Sequence, residues 1–405
     1  MKNNLNQKRP IRTAPFITKP YFYTREDAEK VAKIITGGRL THSSGGETKK
    51  LEKEFAQYCG TRYALATNSG TSALQLAVKA AGVGIGDEVI LPAYTFIATA
   101  QAILAQGGVP VFADIDDTFC ISIDSAQKLI TKKTKAIIVV HIFGNVADVE
   151  KLKKVIGKRK IAIIEDCAQA IGAMCGDKKI GNLGNIGCFS FNEKKALPTG
   201  QGGMLTTSNK ELYRIAAATR NTGIDKTVSN NEINTVGNTL FMTEMEVVLA
   251  RTILKKVDKL NNIRRRNFEY LYKNLGKYRN KFTIYSIING ANPSFSRIIF
   301  LVDFKKLEVT RDVFIETVNK EGIPLRTFYP IPLYKYRLFR EKKDIFIDNS
   351  FAFIKNKINY HNLFLPNTER FCEQQVGLEF SPYITKKDIN DVLITLNKVI
   401  IEMAK

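Results

Sequence analysis

The feature that most constrains the fold is a series of apolar segments that alternate with helical ones between residues 88 and 170. The apolar segments read EVILPAY, VPVFADI, KAIIVVHIFG and KIAIIEDCAQA, and the helical stretches include TFIATAQAILAQGG and VADVEKLKKVIG. Strands that are continuously apolar are typical of parallel sheets buried on both faces by helices. The pattern therefore predicts an α/β fold with ligands bound at the carboxyl ends of the strands.

The segments before this series predict an arm, two helices and a strand. Three prolines make residues 1–24 unsuited to regular structure, and we expect an arm that lies across a partner subunit. Thr24 is a candidate N-cap for the first helix. A second helix is predicted from Glu47 to a stop at Gly60, and Tyr63–Thr67 reads as a short strand.

The segments after it predict a smaller second domain. One long helical stretch is expected from 243 to about 272, followed by strands between 281 and 303 and by a terminal helix from Thr385. We place a large domain at 25–260 and a smaller α+β domain at 261–405.

Composition excludes several classes of protein. The net charge is +22, but the lysines are scattered rather than clustered, so we expect no nucleic-acid partner. No run approaches the roughly 18 apolar residues of a membrane span. The cysteines show no CxxC pair or regular spacing, which predicts neither a zinc site nor a disulfide framework. A cytoplasmic protein with no membrane partner is the expectation.

A candidate phosphate-binding turn follows the first predicted strand. The sequence TNSGTS at 67–72 leads directly into the helical stretch ALQLAVKAAG. Backbone N–H groups and the positive end of a helix attract phosphate at such a turn. An ordinary helix cap has the same sequence, so the turn alone leaves both interpretations open.

A pair of carboxylates ends the apolar run of KIAIIEDCAQA. Glu165 and Asp166 lie where a parallel strand would end. A carboxylate there can stabilise a protonated ring nitrogen, because opposite charges favour the ionised pair. The alternative is a carboxylate that caps the following helix.

The stretch CFSFNEKKALPTGQGGMLT at 188–206 holds the candidate nucleophile, Lys195. A lysine beside apolar groups loses its proton more readily and acts as an amine nucleophile, while the glycines allow close approach of a ligand. The alternative is a surface turn with solvated lysines. Neighbouring side chains of an extended chain point opposite ways, so only one of Lys194 and Lys195 is expected to face the site. An amine, an anion for a ring nitrogen and phosphate donors are together the parts of a pyridoxal phosphate (PLP) site.

These motifs, from about Phe22 to the C-terminus, resemble the DegT-type sugar aminotransferases. The resemblance rests on GGRLTHSSGGETKKLEKEFAQYCGTRYALATNSGTSALQLA, ILPAYTFIATAQAILAQGGVPVFADID, HIFGNVADVEKL, IIEDCAQAIGA, GCFSFNEKKALPTGQGGML and GNTLFMTEME. Their joint occurrence in this order is highly specific. The resemblance implies the PLP-dependent transferase fold type I, with a mostly parallel central sheet in the large domain.

The resemblance also implies a role for each matching residue. Lys195, three residues beyond Asn192 in FSFxxxK, would be the Schiff-base lysine, with Lys194 a solvated neighbour. Asp166 would hold the pyridine nitrogen, and Gln169 would contact the ring hydroxyl. The other cofactor contacts would be Phe96, stacked on the ring, and the phosphate cradle of Gly70, Thr71 and Ser190.

The chain departs from the family pattern at several positions. Relatives usually have histidine at the position of Ile171 and glutamate at that of Gln201. They also have an asparagine three residues before a methionine and an arginine directly before it, where this chain has Thr239 and Phe241. That asparagine reaches the cofactor phosphate of the neighbouring subunit, so Asn238, one place earlier, is a candidate substitute.

No metal site is predicted from the three histidines. His141 follows a strand end, and we expect it to have a structural role, while His42 and His361 have no neighbours with metal-ligand spacing.

The resemblance implies a homodimeric PLP aminotransferase of amino-sugar biosynthesis. The donor would be glutamate or glutamine, and the acceptor a keto sugar, usually nucleotide-linked in the family, or a cyclitol ketone. Two alternatives stay open: a PLP-dependent sugar dehydratase, in which the lysine is replaced, and a non-catalytic binding or regulatory protein with the same fold.

Overall fold

The computed structural model describes residues 9–225, 233–278, 281–342 and 358–404. The helices are α1 (Arg25–Thr36), α2 (Glu47–Cys59), α3 (Gly70–Ala80), α4 (Ala98–Leu104), α5 (Ile123–Lys128), α6 (Val149–Ile156), α7 (Lys210–Arg220), α8 (Glu244–Leu254), α9 (Val257–Leu275), α10 (Arg311–Lys320), α11 (Arg337–Arg340), α12 (Pro366–Gln374) and α13 (Lys386–Met403).

The strands are β1 (Tyr63–Thr67), β2 (Glu88–Pro92), β3 (Val109–Ala113), β4 (Thr134–Val140), β5 (Ala162–Asp166), β6 (Met174–Cys175), β7 (Lys178–Lys179), β8 (Ile186–Ser190), β9 (Gly203–Thr207), β10 (Phe282–Ile284), β11 (Ala291–Asn292), β12 (Arg297–Val302) and β13 (Gln375–Glu379). Short 3-10 turns lie at Ile142–Gly144, Gly276–Tyr278 and Leu333–Lys335.

A seven-stranded sheet in the order β1-β9-β8-β5-β4-β2-β3 forms the centre of the molecule. Neighbouring strands from β8 to β3 are parallel, whereas β9 runs antiparallel to both of its neighbours. The predicted mostly parallel sheet is therefore confirmed, with β9 as the exception.

Both faces of this sheet are buried, as continuous apolar strands require. Along β4, Ile137 and Val139 belong to one hydrophobic cluster, while Ala136 and Ile138 belong to a second cluster on the opposite face. Side chains alternate between the faces of a strand, so helices packed on both sides bury the continuous apolar run at 136–140, while the polar residues of β4 stand at its start.

Local sequence explains where several helices begin and end. Thr24 and Asp27 form a capping box at the start of α1, and Thr385 and Asp388 form another at the start of α13. Gly60 ends α2 at φ 76°, a left-handed conformation that glycine adopts without strain. These helix ends were predicted from the sequence.

The long helix predicted from 243 to 272 is two helices. α8 ends at Leu254 and α9 begins at Val257, and the N–H of Lys256 bonds to the carbonyl of Ile253 in a tighter turn. The ammonium of Lys256 donates to the hydroxyl of Tyr21 at 2.6 Å. A tertiary contact thus accompanies the break, and the stretch contains no glycine or proline that could have marked it.

The C-terminal part contains a separate antiparallel sheet in the order β10-β12-β13. Its helix α13 packs against α9 and α10. The predicted domain boundary at residue 260 falls inside α9 and stays a prediction. Within the described residues, no helix is long and apolar enough to cross a bilayer.

The described part of the predicted N-terminal arm, residues 9–24, packs on its own chain rather than extending away from it. The guanidinium of Arg12 pairs with Asp388 at 2.6 Å and with Asp391 at 3.0 Å, both in α13. At the other end, the hydroxyl of Tyr23 donates to the carbonyl of Pro198. The arm therefore connects α13 to the loop that carries Lys195.

Candidate active site

Three of the predicted motifs meet at one edge of the central sheet. β5 ends at Asp166 and pairs in parallel with β8, with Asp166 opposite Cys188, and β8 ends at Ser190. β1 runs in the same direction, because β1 and β8 are both antiparallel to β9, and it ends at Thr67. The carboxylate, the serine and the phosphate turn thus share the carboxyl edge of the sheet, where α/β proteins bind ligands.

The turn after β1 forms a shallow cradle at the start of α3. Ser69 caps the helix by accepting the N–H of Ser72 at 3.0 Å. A Cβ atom on Gly70 would lie 2.7 Å from the Cβ of Ser190, closer than side chains approach. Only glycine leaves this space open, and the adjacent Thr71 and Ser190 carry hydroxyls. A cradle with helix N–H groups and hydroxyls fits a phosphate.

Asp166 is buried, and two donors hold its carboxylate. The hydroxyl of Thr99 donates to Oδ2 at 2.8 Å, and the N–H of Ala168 donates to Oδ1 at 3.1 Å. Burial raises the pKa of Asp166, while these two hydrogen bonds oppose the rise. No helix follows directly in the sequence, so the helix-cap alternative for Asp166 is wrong.

Phe96 lies at the rim of the same edge. Its carbonyl accepts the N–H of Thr99 at 3.2 Å, which places the phenyl group one turn from the donor to Asp166. Its side chain is 55% exposed. An exposed aromatic ring beside a buried carboxylate can cover one face of a planar ligand.

Lys195 and Lys194 differ in environment, as predicted, although for another reason. Lys194 is exposed and Lys195 is partly buried. The chain forms a turn here, with the N–H of Lys195 bonded to the carbonyl of Asn192 at 2.9 Å, and is not the extended segment we expected. Burial and, to a smaller extent, the positive charge of Arg297 lower the pKa of Lys195, whereas Asp166 and Glu379 oppose them, and the net pKa is about 8.

Lys194 lines a cavity of about 1010 Å³. Glu193 and Pro198 line the cavity with it, together with apolar side chains of α1 that include Val31 and Ile35. The two lysines therefore face different surroundings.

Gln169 is buried in a network that the sequence did not predict. Its Oε1 accepts the N–H of Phe143 at 3.1 Å and a guanidinium N–H of Arg297 at 2.8 Å. Its Nε2 donates to the hydroxyl of Tyr329 at 3.1 Å. Arg297 and Tyr329 come from the C-terminal part of the chain, more than a hundred residues away, which is why no local motif contained them.

Asn238 lies on the surface near the phosphate turn of its own chain. Its N–H bonds to the carbonyl of Thr219 at 2.8 Å, and two residues later the carbonyl of Leu240 accepts the N–H of Asn68 at 3.0 Å. The side chain of Asn238 is exposed. The part proposed for Asn238 in a neighbouring subunit's site stays a prediction.

Phe241 fills the position where relatives have arginine. Its ring stacks on His42 with centroids 4.0 Å apart, and the guanidinium of Arg220 lies 4.9 Å from the ring centre. Arg220 in turn donates to Glu52 at 2.6 Å. An aromatic ring at 241 thus lies between a histidine and a buried arginine.

The histidine expected to be structural, His141, is fully buried in a hydrogen-bond network. Nδ1 accepts the N–H of Ala147 at 3.1 Å, so Nε2 carries the proton and donates to Oε2 of Glu165 at 3.0 Å. Glu165 also accepts three backbone N–H groups, those of Gly181, Leu183 and Gly184. Cys167 completes a cluster with ligand atoms within 4.8 Å, yet these hydrogen bonds already occupy His141 and Glu165.

The residues at this edge fit PLP. Gly70 leaves room for a phosphate, Asp166 lies at a strand end under an aromatic rim, and the Lys195 amine is partly buried nearby. The fit rests on the donor set and on the space that Gly70 preserves.

Comparison with known proteins identifies relatives across nearly the whole chain. The model of the DegT/DnrJ/EryC1/StrS aminotransferase family matches residues 23–397. A UDP-N-acetyl-3-dehydro-alpha-D-glucosamine 3-aminotransferase of Acidithiobacillus ferrooxidans is 36% identical over 76% of this chain and 82% of that protein. An L-glutamine:2-deoxy-scyllo-inosose aminotransferase of Streptomyces kanamyceticus is 35% identical over 65% of each chain.

A solved structure has the same fold. NtdA of Bacillus subtilis, crystallised with bound cofactor PMP, superposes with a TM-score of 0.82 at 26% identity and covers 96% of this chain and 87% of its own.

Proposed function

Because the chain belongs to the DegT/DnrJ/EryC1/StrS aminotransferase family, we propose specific roles for its site residues in an amino transfer from glutamate or glutamine. The protein is a PLP-dependent aminotransferase that acts on a keto sugar or cyclitol in amino-sugar biosynthesis. The predicted family, fold type, enzyme class and cofactor are therefore confirmed. A dehydratase branch in which the lysine is replaced does not match a chain with Lys195.

One observation supports the roles most directly: Lys195 is partly buried at the sheet edge where Asp166 ends β5. With a pKa near 8, about a tenth of the Lys195 side chains are neutral amines at pH 7, far more than for a solvated lysine. A neutral amine is the form that attacks a carbonyl carbon.

The other site residues orient the reacting groups and hold the cofactor. When bound, PLP supplies an aldehyde carbon that exchanges amines and a ring that delocalises electrons from the donor's α-carbon. Asp166 holds a proton at the ring nitrogen, and Thr99 and Ala168 hold the Asp166 carboxylate in place. Lys195 Nζ would take the proton from the α-carbon of the donor and pass it to the cofactor carbon that held the aldehyde. In the second half-reaction it would move a proton from that carbon to the former carbonyl carbon of the acceptor.

Separate residues are proposed to bind the phosphate group and the ring of the cofactor. Gly70, Thr71 and Ser190 receive the phosphate, Phe96 covers the ring, and Gln169 contacts the ring hydroxyl. The space at Gly70 supports the first of these roles, and the exposed position of Phe96 supports the second.

We place the protein in the cytoplasm as a homodimer. All six cysteines are free, which suits a reducing compartment. The exposed Asn238 would complete the cofactor site of the partner subunit. Sedimentation tests the dimer, and a fully active monomer at catalytic concentrations would contradict it.

The donor and the acceptor can be identified in two half-reactions. L-glutamate or L-glutamine is added to the purified holoenzyme while the visible absorbance of the cofactor is followed; the proposal predicts that the spectrum converts to that of the aminated cofactor. A UDP-linked 3-keto sugar and 2-deoxy-scyllo-inosose are then added separately, and the ketone that is the acceptor restores the spectrum. Mass spectrometry of the product confirms the new amine. A spectrum that neither donor changes would favour the non-catalytic alternative.

A further inference from the structure

Arg297 connects the C-terminal sheet to the cofactor edge of the central sheet. It is the first residue of β12, and its side chain is largely buried. Nε pairs with Glu379 of β13 at 3.2 Å, while Nη1 reaches Oε1 of Gln169 at 2.8 Å. One guanidinium therefore contacts the C-terminal sheet and the segment that follows β5 through separate nitrogens.

These contacts determine which way the amide of Gln169 points. A side-chain amide carries one oxygen and one NH₂ group, and only the oxygen accepts hydrogen bonds. The atom beside Arg297 also receives the N–H of Phe143, so two donors face it and it must be the oxygen. The NH₂ group consequently points the other way, toward the hydroxyl of Tyr329. One of its two hydrogens bonds to Tyr329, and among the described residues no acceptor is bonded to the second, which leaves it for a ligand.

We propose that Arg297 is a positioning residue that locks the Gln169 amide with its NH₂ group toward the cofactor's ring oxygen. This proposal rests on the function proposed above, because it assumes that Gln169 contacts the ring oxygen. A locked N–H donor favours the ionised form of that oxygen, since hydrogen bonds to a charged form stabilise it.

The positive charge of Arg297 is one of several neighbouring charges that affect the pKa of Lys195. Arg297 lowers the pKa of Lys195, whereas Asp166 and Glu379 raise it, and burial is the largest effect. Glu379 is itself paired with Arg326 as well as with Arg297. Removing Arg297 would leave the two carboxylates less opposed, so the Lys195 ammonium would hold its proton to a higher pH.

Arg326 provides a matched control. Both arginines pair with Glu379, and their guanidinium carbons lie 4.7 Å and 4.6 Å from the ring centre of Phe328. Only Arg297 reaches Gln169. Any effect of Arg297 that depends on the Glu379 pair or on Phe328 alone should also appear when Arg326 is changed.

The first test uses the cofactor-free protein. Trace acetylation labels only neutral amines, and mass spectrometry of a chymotryptic peptide that contains both Lys194 and Lys195 gives their ratio. We expect Arg297→Met to lower the Lys195 label at pH 7 about tenfold relative to Lys194, the effect of one pKa unit. Arg326→Met should change that ratio less than about twofold. An Arg297→Met ratio equal to the wild-type ratio would overturn the charge effect.

The second test separates the hydrogen bond from the charge. Arg297→Lys keeps the charge but lacks the planar fork that reaches Gln169 and Glu379 together. We expect it to label like the wild type and to bind PLP about five- to tenfold more weakly, as for one lost hydrogen bond. In a Gln169→Ala background, Arg297→Lys should have no further effect on PLP binding. Equal weakening in both backgrounds would overturn the positioning role, and this variant also serves if Arg297→Met does not fold.

The two proposals fail in different ways. If wild-type protein binds no PLP, the proposed function fails, while labelling still reports whether Arg297 sets the charge state of Lys195. If PLP binds and turns over but neither Arg297 variant changes the labelling of Lys195 or shows coupling to Gln169 in PLP binding, Arg297 only joins the C-terminal sheet to the segment after β5.

Discussion

The hydroxyl of Thr99 lies 2.8 Å from Oδ2 of Asp166 and is one of two donors to that buried carboxylate. Thr99 lies in the first turn of α4, three residues after the rim residue Phe96, whereas Asp166 ends β5. This hydrogen bond therefore couples the segment proposed to cover the cofactor ring to the carboxylate proposed to hold the ring nitrogen.

Replacing Thr99 with valine should impair catalysis and shift its pH dependence. The change keeps the volume but removes a donor to an ionised group, an interaction worth about 1.5–3 kcal/mol. Because this hydrogen bond lowers the pKa of Asp166, its loss lets Asp166 bind a proton at higher pH. The acid limb of kcat/KM should move to higher pH, while Thr99→Ser keeps the wild-type profile. Identical profiles for valine and wild type would mean that Thr99 does not act on Asp166.

Of the two adjacent lysines, only Lys195 should hold the cofactor. Lys195→Ala should lose the visible absorbance of the bound cofactor and all amino transfer, because its partly buried amine is replaced by methyl. Lys194→Ala should keep both, with a change in unfolding free energy within about 0.5 kcal/mol for an exposed side chain. Borohydride reduction followed by peptide mapping gives an independent reading, and a label on Lys194 would reverse the assignment.

The free energy of unfolding of the cofactor-free protein should depend on the protonation of Lys195 at alkaline pH. Its pKa falls from an ordinary 10.5 to about 8 on folding, so between these values the unfolded chain binds a proton that the folded chain has released. Stability then rises with pH across that window, because the penalty of burying the ammonium is removed. Urea unfolding of wild type and Lys195→Met at pH 7.5 and 9.5 measures this. The wild type should gain relative to the variant at the higher pH, and a constant difference would argue against the lowered pKa.

Gly70→Ala should weaken PLP binding by at least about tenfold, since its methyl group would meet Ser190 at 2.7 Å inside the phosphate cradle. Gly46→Ala is the matched control, because Gly46 also stands at a helix start and its Cβ would meet nothing within 4 Å. Equilibrium titration with PLP compares the two. Wild-type affinity in Gly70→Ala would show that the phosphate binds elsewhere.

Much of the fold could be predicted because its signals are local. The apolar runs around Ile137 and Ile163 identify buried parallel strands, and the capping residues Thr24 and Thr385 mark helix starts. The break between α8 and α9 could not be predicted, since it coincides with a tertiary contact of Lys256 rather than with a glycine or proline.

The residues of the candidate site also divide into those that local motifs identify and those that only the fold brings in. Lys195, Asp166 and Gly70 lie in motifs that can be recognised within a few residues, although the side-chain alternation we used for Lys195 was wrong, because that segment is a turn. The partners that tune these groups come from distant sequence. Thr99 is 67 residues from Asp166, and Arg297 is 128 residues from Gln169. Only the folded chain brings such pairs together.

The arm has a consequence for the order in which the chain assembles during synthesis. Arg12 pairs with Asp391, which follows it by 379 residues, so this ion pair cannot form until α13 has been translated. The α/β units between them can fold earlier, as they emerge from the ribosome. The arm also carries Tyr23, which bonds to Pro198 in the turn that bears Lys195. That contact needs only residues up to 198, so the two ends of the arm can dock at different stages of synthesis. A nascent chain interrupted before α13 lacks the ion pairs of Arg12.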